Sequence, residues 1–254
     1  MDLGLKDKLI VIAGGRGELG LAETTRTILE REGAVTILLD DGSAREVRKT
    51  DFQVDLGDPR AFQRVFKRIR RKYASIAGYV SMVAGPLASV LPGFRRVERR
   101  HLQEQTEQTY YPVVYAYQEM REWAEVLDVP PTIVVWSSVN GLERYALNEF
   151  AYDGAQSSAM KSVGNAAVYS RGKMYVIGVA CGTLDNPLWE QSGQSEALKL
   201  IAKAIPDGRV TTLEEAAEHV AFYLSRGHAL NGEIVPLARS WGKRPEDWKP
   251  GREE

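Results

Sequence analysis

The sequence predicts a single α/β domain, built on a doubly wound parallel sheet with helices on both faces. Short apolar runs rich in β-branched residues alternate with longer amphipathic stretches along the chain, and a glycine-rich loop joins the first run to the first stretch. The 254 residues, 44% of them hydrophobic, are enough for one substantial core. Strand–helix alternation favours a parallel sheet, because parallel neighbours need a crossover connection.

Six short apolar runs are predicted to be buried strands. Their character is continuously apolar rather than alternating, which indicates strands covered on both faces. The runs are LIVIA (9–13), VTILL (35–39), GYVSMVA (78–84), TIVVW (132–136), MYVIGVA (174–180) and GEIVPL (232–237).

Five amphipathic stretches between these runs are predicted to be helices. They cover residues 18–32, 59–73, 98–127, 152–170 and 213–225. No repeat or linker interrupts the pattern, so we expect one domain over residues 1–241. The remaining segment, 242–254, is polar and proline-punctuated. It is either a disordered tail or a segment that lies against a partner.

Composition excludes several classes of protein. The net charge of −1 gives no overall electrostatic case for a nucleic-acid partner or an anionic membrane. A single cysteine, Cys181, excludes an internal disulfide framework and suits a reducing cytosol. No apolar run approaches the roughly 20 residues that span a bilayer, and the three histidines have no metal-ligand spacing. We therefore expect a soluble cytoplasmic protein with no metal site.

The loop AGGRGELG (13–20) follows the first predicted strand and opens the first helix. Its glycines at 14, 17 and 20, or at 15, 17 and 20, fit the spacing of loops that let the backbone turn sharply toward a pyrophosphate. Gly14, Gly15, Gly17 and Gly20 are therefore candidate dinucleotide-binding residues. A tight strand-to-helix turn with no ligand is the alternative.

The second strand ends in Asp40 and Asp41. A carboxylate at that position can accept hydrogen bonds from a ribose diol and repels a 2′-phosphate. The sequence therefore favours NAD over NADP, with Asp40 as the candidate ribose-binding residue.

Further segments resemble the short-chain dehydrogenase/reductase family, which has a Rossmann-type fold. The resemblance covers nearly the whole chain and implies that Asp55 and Leu56 cradle adenine and that Ser138 and Tyr152 are the family's catalytic serine and tyrosine. The segments that carry it, besides the glycine loop, are VDLGD (54–58), VAG (83–85), VVWSSVNG (134–141), AYDGAQ (151–156), VACGTLDNP (179–187) and LNGEIVP (230–236).

The chain departs from the family pattern mainly at the positions that perform its chemistry. Gln156 replaces the family's lysine, and alignment of TYYPVVYAYQ (109–118) places Thr109 where the family has a supporting asparagine. Tyr145 is no better a candidate tyrosine, because Glu149 follows it after four residues. Further departures are Met82-Val83 for two asparagines, Cys181 for a proline, Asn186 for a threonine and LARS (237–240) for an aspartate–glycine turn.

The lost lysine removes a positive charge whose effect is large. In the family the lysine lowers the pKa of the tyrosine, which transfers the proton. A cation about 4 Å from the phenol, at an effective dielectric constant of about 20, contributes up to about 4 kcal/mol and lowers the tyrosine pKa by roughly three. Lys161 cannot substitute, since nine helical residues place it about 13–14 Å farther along the helix, on the opposite side. We interpret Ser138 and Tyr152 as remnants of the fold.

The resemblance also implies a partner. In the family, the helices predicted here at 98–127 and 152–170 form a four-helix dimer interface, and both carry small and aromatic residues beyond core needs. We expect a hetero-oligomer, specifically a heterotetramer, in which an intact paralogue performs NAD-dependent oxidation of a secondary alcohol on an acyl-CoA.

The basic runs at 60–73 and 94–101 are interpreted as solvated helix faces, with contact to coenzyme A phosphates as the alternative.

Two other functions stay open from the sequence. One is an active enzyme that uses Ser138 and Tyr152 without lysine. The other is a regulatory module that binds a dinucleotide without chemistry.

Overall fold

A computed structural model describes residues 2–14, 20–41, 51–84, 95–142, 149–191 and 193–237. Its centre is a seven-stranded, entirely parallel sheet, which confirms the predicted fold class. The strand order is β3-β2-β1-β4-β5-β6-β9, so the order reverses between β1 and β4. In open sheets of this kind, ligands bind outside the carboxyl ends of the strands, at such a reversal.

All six predicted strands are present, with ends that differ by a few residues. They are β1 (Leu9–Gly14), β2 (Val35–Asp40), β4 (Gly78–Met82), β5 (Thr132–Ser138), β6 (Tyr175–Cys181) and β9 (Ile234–Leu237). The sequence did not predict β3 (Phe52–Gln53), or the small separate sheet of β7 (Leu184–Asp185) and β8 (Thr211–Thr212). These strands have two residues each and are too short for a periodic signal.

The predicted helices are also present. They are α1 (Leu21–Arg31), α2 (Pro59–Lys72), α3 (Arg99–Gln105), α4 (Tyr111–Ala124), α5 (Phe150–Ser170) and α8 (Leu213–Arg226). A π-helical turn (Thr106–Tyr110) joins α3 to α4, so these two form one continuous segment. Two shorter helices, α6 (Leu188–Gln191) and α7 (Ser195–Ala204), were not predicted. The helix α7 buries none of its residues.

The helices cover both faces of the sheet and form two core layers. One layer packs α2, α4 and α5 against the sheet and contains Phe62, Met120 and Met160. The other packs α1 and α8 and contains Leu29 and Val220. Within the described ranges, no helix combines the length and the apolar character needed to cross a bilayer. The predicted tail, 242–254, lies outside the described residues.

Gly14 is the last residue of β1 and lies at the carboxyl edge of the sheet, where ligands bind in folds of this kind. It pairs with Met82 across β1 and β4, and its φ is +80°. A side-chain Cβ at Gly14 would lie 2.7 Å from the Met82 carbonyl oxygen and 2.8 Å from a methyl carbon of Val83. Both the backbone conformation and the close approach of β4 therefore require glycine.

We expect Gly14→Ala to destabilise the fold more than Gly172→Ala. Gly172 has a similar φ of +77° but has nothing within 4 Å of the position of a Cβ, so alanine there adds only backbone strain. Gly14→Ala adds the overlap with β4, and its free energy of unfolding should be lower than that of Gly172→Ala by roughly 1–3 kcal/mol. Urea denaturation of both variants measures the difference. Equal stabilities would show that β4 yields to the methyl group.

Candidate functional site

Ser138 lies at the carboxyl end of β5, where the chain enters a 3₁₀ turn (Val139–Gly141). The Ser138 side chain caps this turn by accepting a hydrogen bond from the Asn140 backbone N–H at 3.2 Å. The turn packs directly on α5: a Cβ at Gly141 would lie 2.8 Å from the Gln156 carbonyl carbon, and Ser157 donates its hydroxyl to the Gly141 carbonyl at 2.9 Å. The backbone of α5 thereby fixes the position of Ser138.

The Gln156 side chain points into the protein and joins α5 to β5. It is only 2% exposed. Its amide oxygen accepts hydrogen bonds from the Ser137 hydroxyl and from the Ser138 backbone N–H, the latter at 3.3 Å. Gln156 is therefore more than a neutral replacement for lysine, because its oxygen satisfies two donors that an ammonium group cannot.

Tyr152 lies one helical turn before Gln156, and its hydroxyl forms a hydrogen bond with Ser138. The structure thus brings together the serine and the tyrosine predicted from the sequence. Burial raises the pKa of Tyr152 well above its usual value, and the nearby Glu149 raises it further, whereas the Ser138 hydrogen bond opposes the increase. The phenol is therefore held protonated near neutral pH, whereas taking a proton from an alcohol requires a phenol that can ionise at that pH.

Two carboxyl groups at the start of α5 were missed by the sequence analysis. Glu149 precedes the helix and accepts a hydrogen bond from the Asn140 side-chain amide at 2.8 Å. Burial, reinforced by the charge of Asp153, raises the pKa of Glu149 to about 7. Burial also raises the pKa of Asp153 to about 6. A helix N-terminus stabilises a carboxylate by about 0.3–1 kcal/mol, and desolvation outweighs that effect here.

These acids invert the electrostatics expected around the tyrosine. In the family pattern a cation stands near the phenol, whereas among the residues that the structure describes the ionisable neighbours of Tyr152 are Glu149, Asp153 and Cys181. Lys161 is exposed on the outer side of α5, as the helical spacing predicted. The sequence does show two acids close to Tyr152, one three residues before it and one directly after it. It does not show that both side chains are partly buried, which is what raises their pKa values.

Thr109 lies in the π-helical turn that interrupts the helix between α3 and α4. It is 2% exposed, and the turn packs against α5. Single π-helical turns occur often at functional sites. Thr109 therefore lies on an element that packs against α5, the helix that carries Tyr152 and Gln156.

The described residues fit the adenosine half of a dinucleotide. Gly14, at the end of β1, leaves no space for a side chain, and Gly20 precedes α1 with a φ of +70°. Asp40 ends β2 and is 5% exposed, while Leu56, after β3, is nearly buried. Asp55 is exposed and accepts a hydrogen bond from the Gly57 N–H at 2.9 Å. Gly15 and Gly17 lie outside the described residues.

The nicotinamide half of the cleft is less complete. In the family this half relies on a lysine that holds the nicotinamide ribose, and the side chain at that position, Gln156, has its oxygen bound to β5. Met82 and Val83, in place of two asparagines, are both buried in the apolar cores. Within the described ranges, no group of three histidine, cysteine, aspartate or glutamate side chains could hold a metal ion.

Comparison with known proteins agrees with this geometry. Residues 18–237 match the profile of a protein family described as enoyl-(acyl carrier protein) reductase. No curated protein sequence matches the chain. Many solved structures share the fold.

Three of these structures illustrate the likeness, and at these identities they show the fold alone. Aldohexose dehydrogenase from Thermoplasma acidophilum is 17% identical with a TM-score of 0.84, over 98% of this chain and all of that one. L-sorbose reductase from Gluconobacter frateurii, solved with NADPH and L-sorbose, is 17% identical with a TM-score of 0.82, over 96% of this chain and all of that one. Enoyl-acyl carrier protein reductase from Bacillus cereus, solved with NADP+ and indole naphthyridinone, is 17% identical with a TM-score of 0.80, over 95% of this chain and 98% of that one.

We expect Gln156→Lys to destabilise the protein rather than simply to restore a missing group. Lysine has no acceptor, so the Ser137 hydroxyl and the Ser138 N–H lose their partner and a charge enters a buried position. The free energy of unfolding should fall by about 1–3 kcal/mol. Gln118→Lys, on the exposed side of α4, is the control and should stay within about 0.5 kcal/mol of the parent chain. Urea denaturation at pH 7 measures both, and equal stability would contradict the structural role of Gln156.

The raised pKa of Glu149 makes the stability depend on pH. The folded chain holds this proton more tightly than the unfolded chain, so the contribution is fully present below about pH 4.5 and is lost as the pH rises through about 7. Glu149→Gln keeps an acceptor for Asn140 but cannot ionise. It should raise the free energy of unfolding at pH 8 by about 1–3 kcal/mol and change it little at pH 4.5.

Denaturant titrations at the two pH values test this expectation. Glu190→Gln, at an exposed position, is the matched control. A gain at pH 8 that Glu190→Gln reproduces would mean that the effect comes from net charge and not from the buried carboxyl.

Proposed function

The chain belongs to the short-chain dehydrogenase/reductase family of oxidoreductases, and on that basis we propose that it is a catalytically silent subunit of an NAD-dependent complex. An intact paralogue in the same complex performs the chemistry, the oxidation of a secondary alcohol to a ketone. This chain completes the oligomer and shapes the substrate pocket of its partner.

The observation that carries this proposal is the charge around Tyr152. Burial of its hydroxyl raises the pKa of Tyr152, and so do the nearby carboxyl groups of Glu149 and Asp153. The hydrogen bond to Ser138 acts in the opposite direction and lowers that pKa. A relay needs a tyrosine that can ionise near neutral pH. With neither the lysine charge nor a substitute for it among the described neighbours of the phenol, that requirement is not met.

The outer faces of two helical segments support a partner. On α5, Val168 and Tyr169 are 75% and 80% exposed, and Phe150 is half-exposed. On the segment from α3 to α4, Leu102 and Tyr111 are also exposed. The two segments are neighbours, since Tyr117 on α4 forms a 3.0 Å hydrogen bond with Ser162 on α5. Apolar side chains in such number on adjacent helices favour an interface, and we assign the paralogue to this face.

The proposed cofactor of the complex is NAD. The buried Asp40 carboxyl at the end of β2 favours a free ribose diol over a 2′-phosphate. We assign the catalytically bound NAD to the partner, whose lysine would hold the nicotinamide ribose. Gly14, Gly20, Asp40, Asp55 and Leu56 of this chain are then vestiges of a cofactor site.

The proposed substrate is a secondary alcohol on an acyl-CoA. The pattern of one intact and one degenerate subunit resembles the 2-(hydroxyphenylmethyl)succinyl-CoA dehydrogenase of anaerobic toluene degradation. That resemblance of the whole pattern supports the substrate class. Individual contacts of the described residues do not select among acyl groups.

Tyr152→Phe in the native complex is the experiment that tests this proposal. Because Tyr152 transfers no proton, the variant complex should keep kcat within about twofold, whereas the same change in the partner's tyrosine should reduce kcat by at least about a hundredfold. Copurification of the untagged complex, followed by native mass spectrometry, should find a second chain of similar mass.

The alternatives give different results in the same experiments. A pure homo-oligomer whose turnover is lost with Tyr152→Phe would identify an active enzyme that works without lysine. Tight binding of NAD or NADH by a chain with no turnover and no dehydrogenase partner would identify a sensory module. Either result would overturn the proposal of a silent subunit.

A further inference from the structure

The helix α2 concentrates positive charge on one exposed face. It carries seven lysine and arginine residues and no acid, so the rest of the chain is net acidic although the protein as a whole is nearly neutral. Four of these cations, Arg60, Arg64, Lys67 and Arg71, follow the spacing of a single stripe along the helix. All four are exposed, and the stripe is about 16 Å long. The net charge of the whole chain, −1, does not show that positive charges are concentrated on this helix.

Two of the four cations in the stripe have a carboxylate nearby, and two have none among the described residues. Arg64 has Asp58 at 4.0 Å, and Lys67 lies near the acids Glu119 and Glu122, which pair with Arg70. The described part of the chain places no carboxylate within ion-pair distance of Arg60 or Arg71. Exposed cations that repel one another lower stability slightly, and a polyanionic ligand would relieve that cost.

Aromatic rings lie beside the stripe. Arg68 lies over the ring of Phe52, 4.9 Å from its centre, and Lys72 lies 5.0 Å from the centre of the Tyr73 ring. Both rings are half-buried. The Arg68 guanidinium is thus placed over an aromatic ring at the edge of the stripe. Planar guanidinium groups and aromatic rings along a basic track are the surfaces on which the bases of single strands stack.

Other polyanionic partners fit this face less well. No large apolar side chain is exposed along α2, which an interfacial helix would need for insertion into lipid. A protein interface would usually have an apolar centre, and this face has none. A narrow stripe of exposed cations, three of them arginines, matches a flexible phosphodiester strand, because arginine binds two phosphate oxygens at once.

From these observations we infer that the exposed face of α2 binds single-stranded nucleic acid, without base specificity. Phosphates contact the stripe of Arg60, Arg64, Lys67 and Arg71, and a base stacks on the guanidinium of Arg68. This interaction is independent of the proposed dehydrogenase role, since α2 begins after the adenosine edge of the sheet and the candidate catalytic residues lie on β5 and α5.

Binding of a fluorescent 20-nucleotide oligo(dT) by the full chain tests the inference. Fluorescence anisotropy at 50 mM salt should give a dissociation constant on the order of 10⁻⁵ M, and log K should fall with log salt with a slope of about −3. The variant Arg60→Gln/Arg64→Gln/Arg71→Gln should bind at least tenfold more weakly, with a slope nearer −1, because each lost phosphate contact removes about 0.7 from the slope.

A charge-matched variant controls for net charge. Arg31→Gln/Lys199→Gln/Arg209→Gln removes three exposed cations from other surfaces and should bind as the parent chain does. Circular dichroism and thermal melting establish that both triple variants are folded. No binding at 50 mM salt, or an equal loss in the control, would refute the inference. Equally tight, stripe-dependent binding to anionic lipid vesicles or to polyglutamate would also refute it, since the face would then not select a nucleic-acid strand.

Discussion

The candidate site depends on the contact between the end of β5 and the second turn of α5. Gly141 lies against the backbone of Gln156, Ser157 hydrogen-bonds back to the 3₁₀ turn, and the Gln156 amide oxygen holds the Ser137 hydroxyl and the Ser138 N–H. This contact places Ser138 within reach of the Tyr152 hydroxyl. Gln156, which carries no charge where the family has a lysine, therefore maintains the position of Ser138 beside the helix that carries Tyr152.

Electrostatics then determines what the preserved geometry can do. A family lysine would lower the pKa of Tyr152 by roughly three, in the same cleft where burial and Glu149 now raise it. The two carboxyls at the start of α5 tolerate one another because burial keeps them partly protonated near neutral pH. A cleft with this sign of charge disfavours a tyrosinate.

The fold itself is shared widely, at sequence identities below 25%, with enzymes of several substrates. Function on such a scaffold is carried by a few side chains at one edge of the sheet and by the outer surfaces of the helices. In this chain both have changed. Gln156 stands at the edge where the family has a lysine, the outer faces of α5 and the α3–α4 segment present apolar side chains, and α2 presents a face of arginines and lysines.

The sequence by itself determined the sheet, its main strands and helices, and the identities of Ser138, Tyr152 and Gln156 at the cleft. These features could be predicted because they depend on residues that are close in the sequence. The spacing of apolar residues predicts strands and helices, and the spacing within a motif determines which residues share a helical turn. The short strands β3, β7 and β8 and the helix α7 escaped prediction because two-residue strands and a helix with no buried face leave little periodic signal.

Only the tertiary structure decided that the Gln156 side chain turns inward, that Glu149 and Asp153 are partly buried near the phenol, and that the cations of α2 lie together on one exposed face. Each of these depends on atoms contributed by elements distant in the chain, and burial, hydrogen-bond partners and pKa values exist only once those elements have packed together.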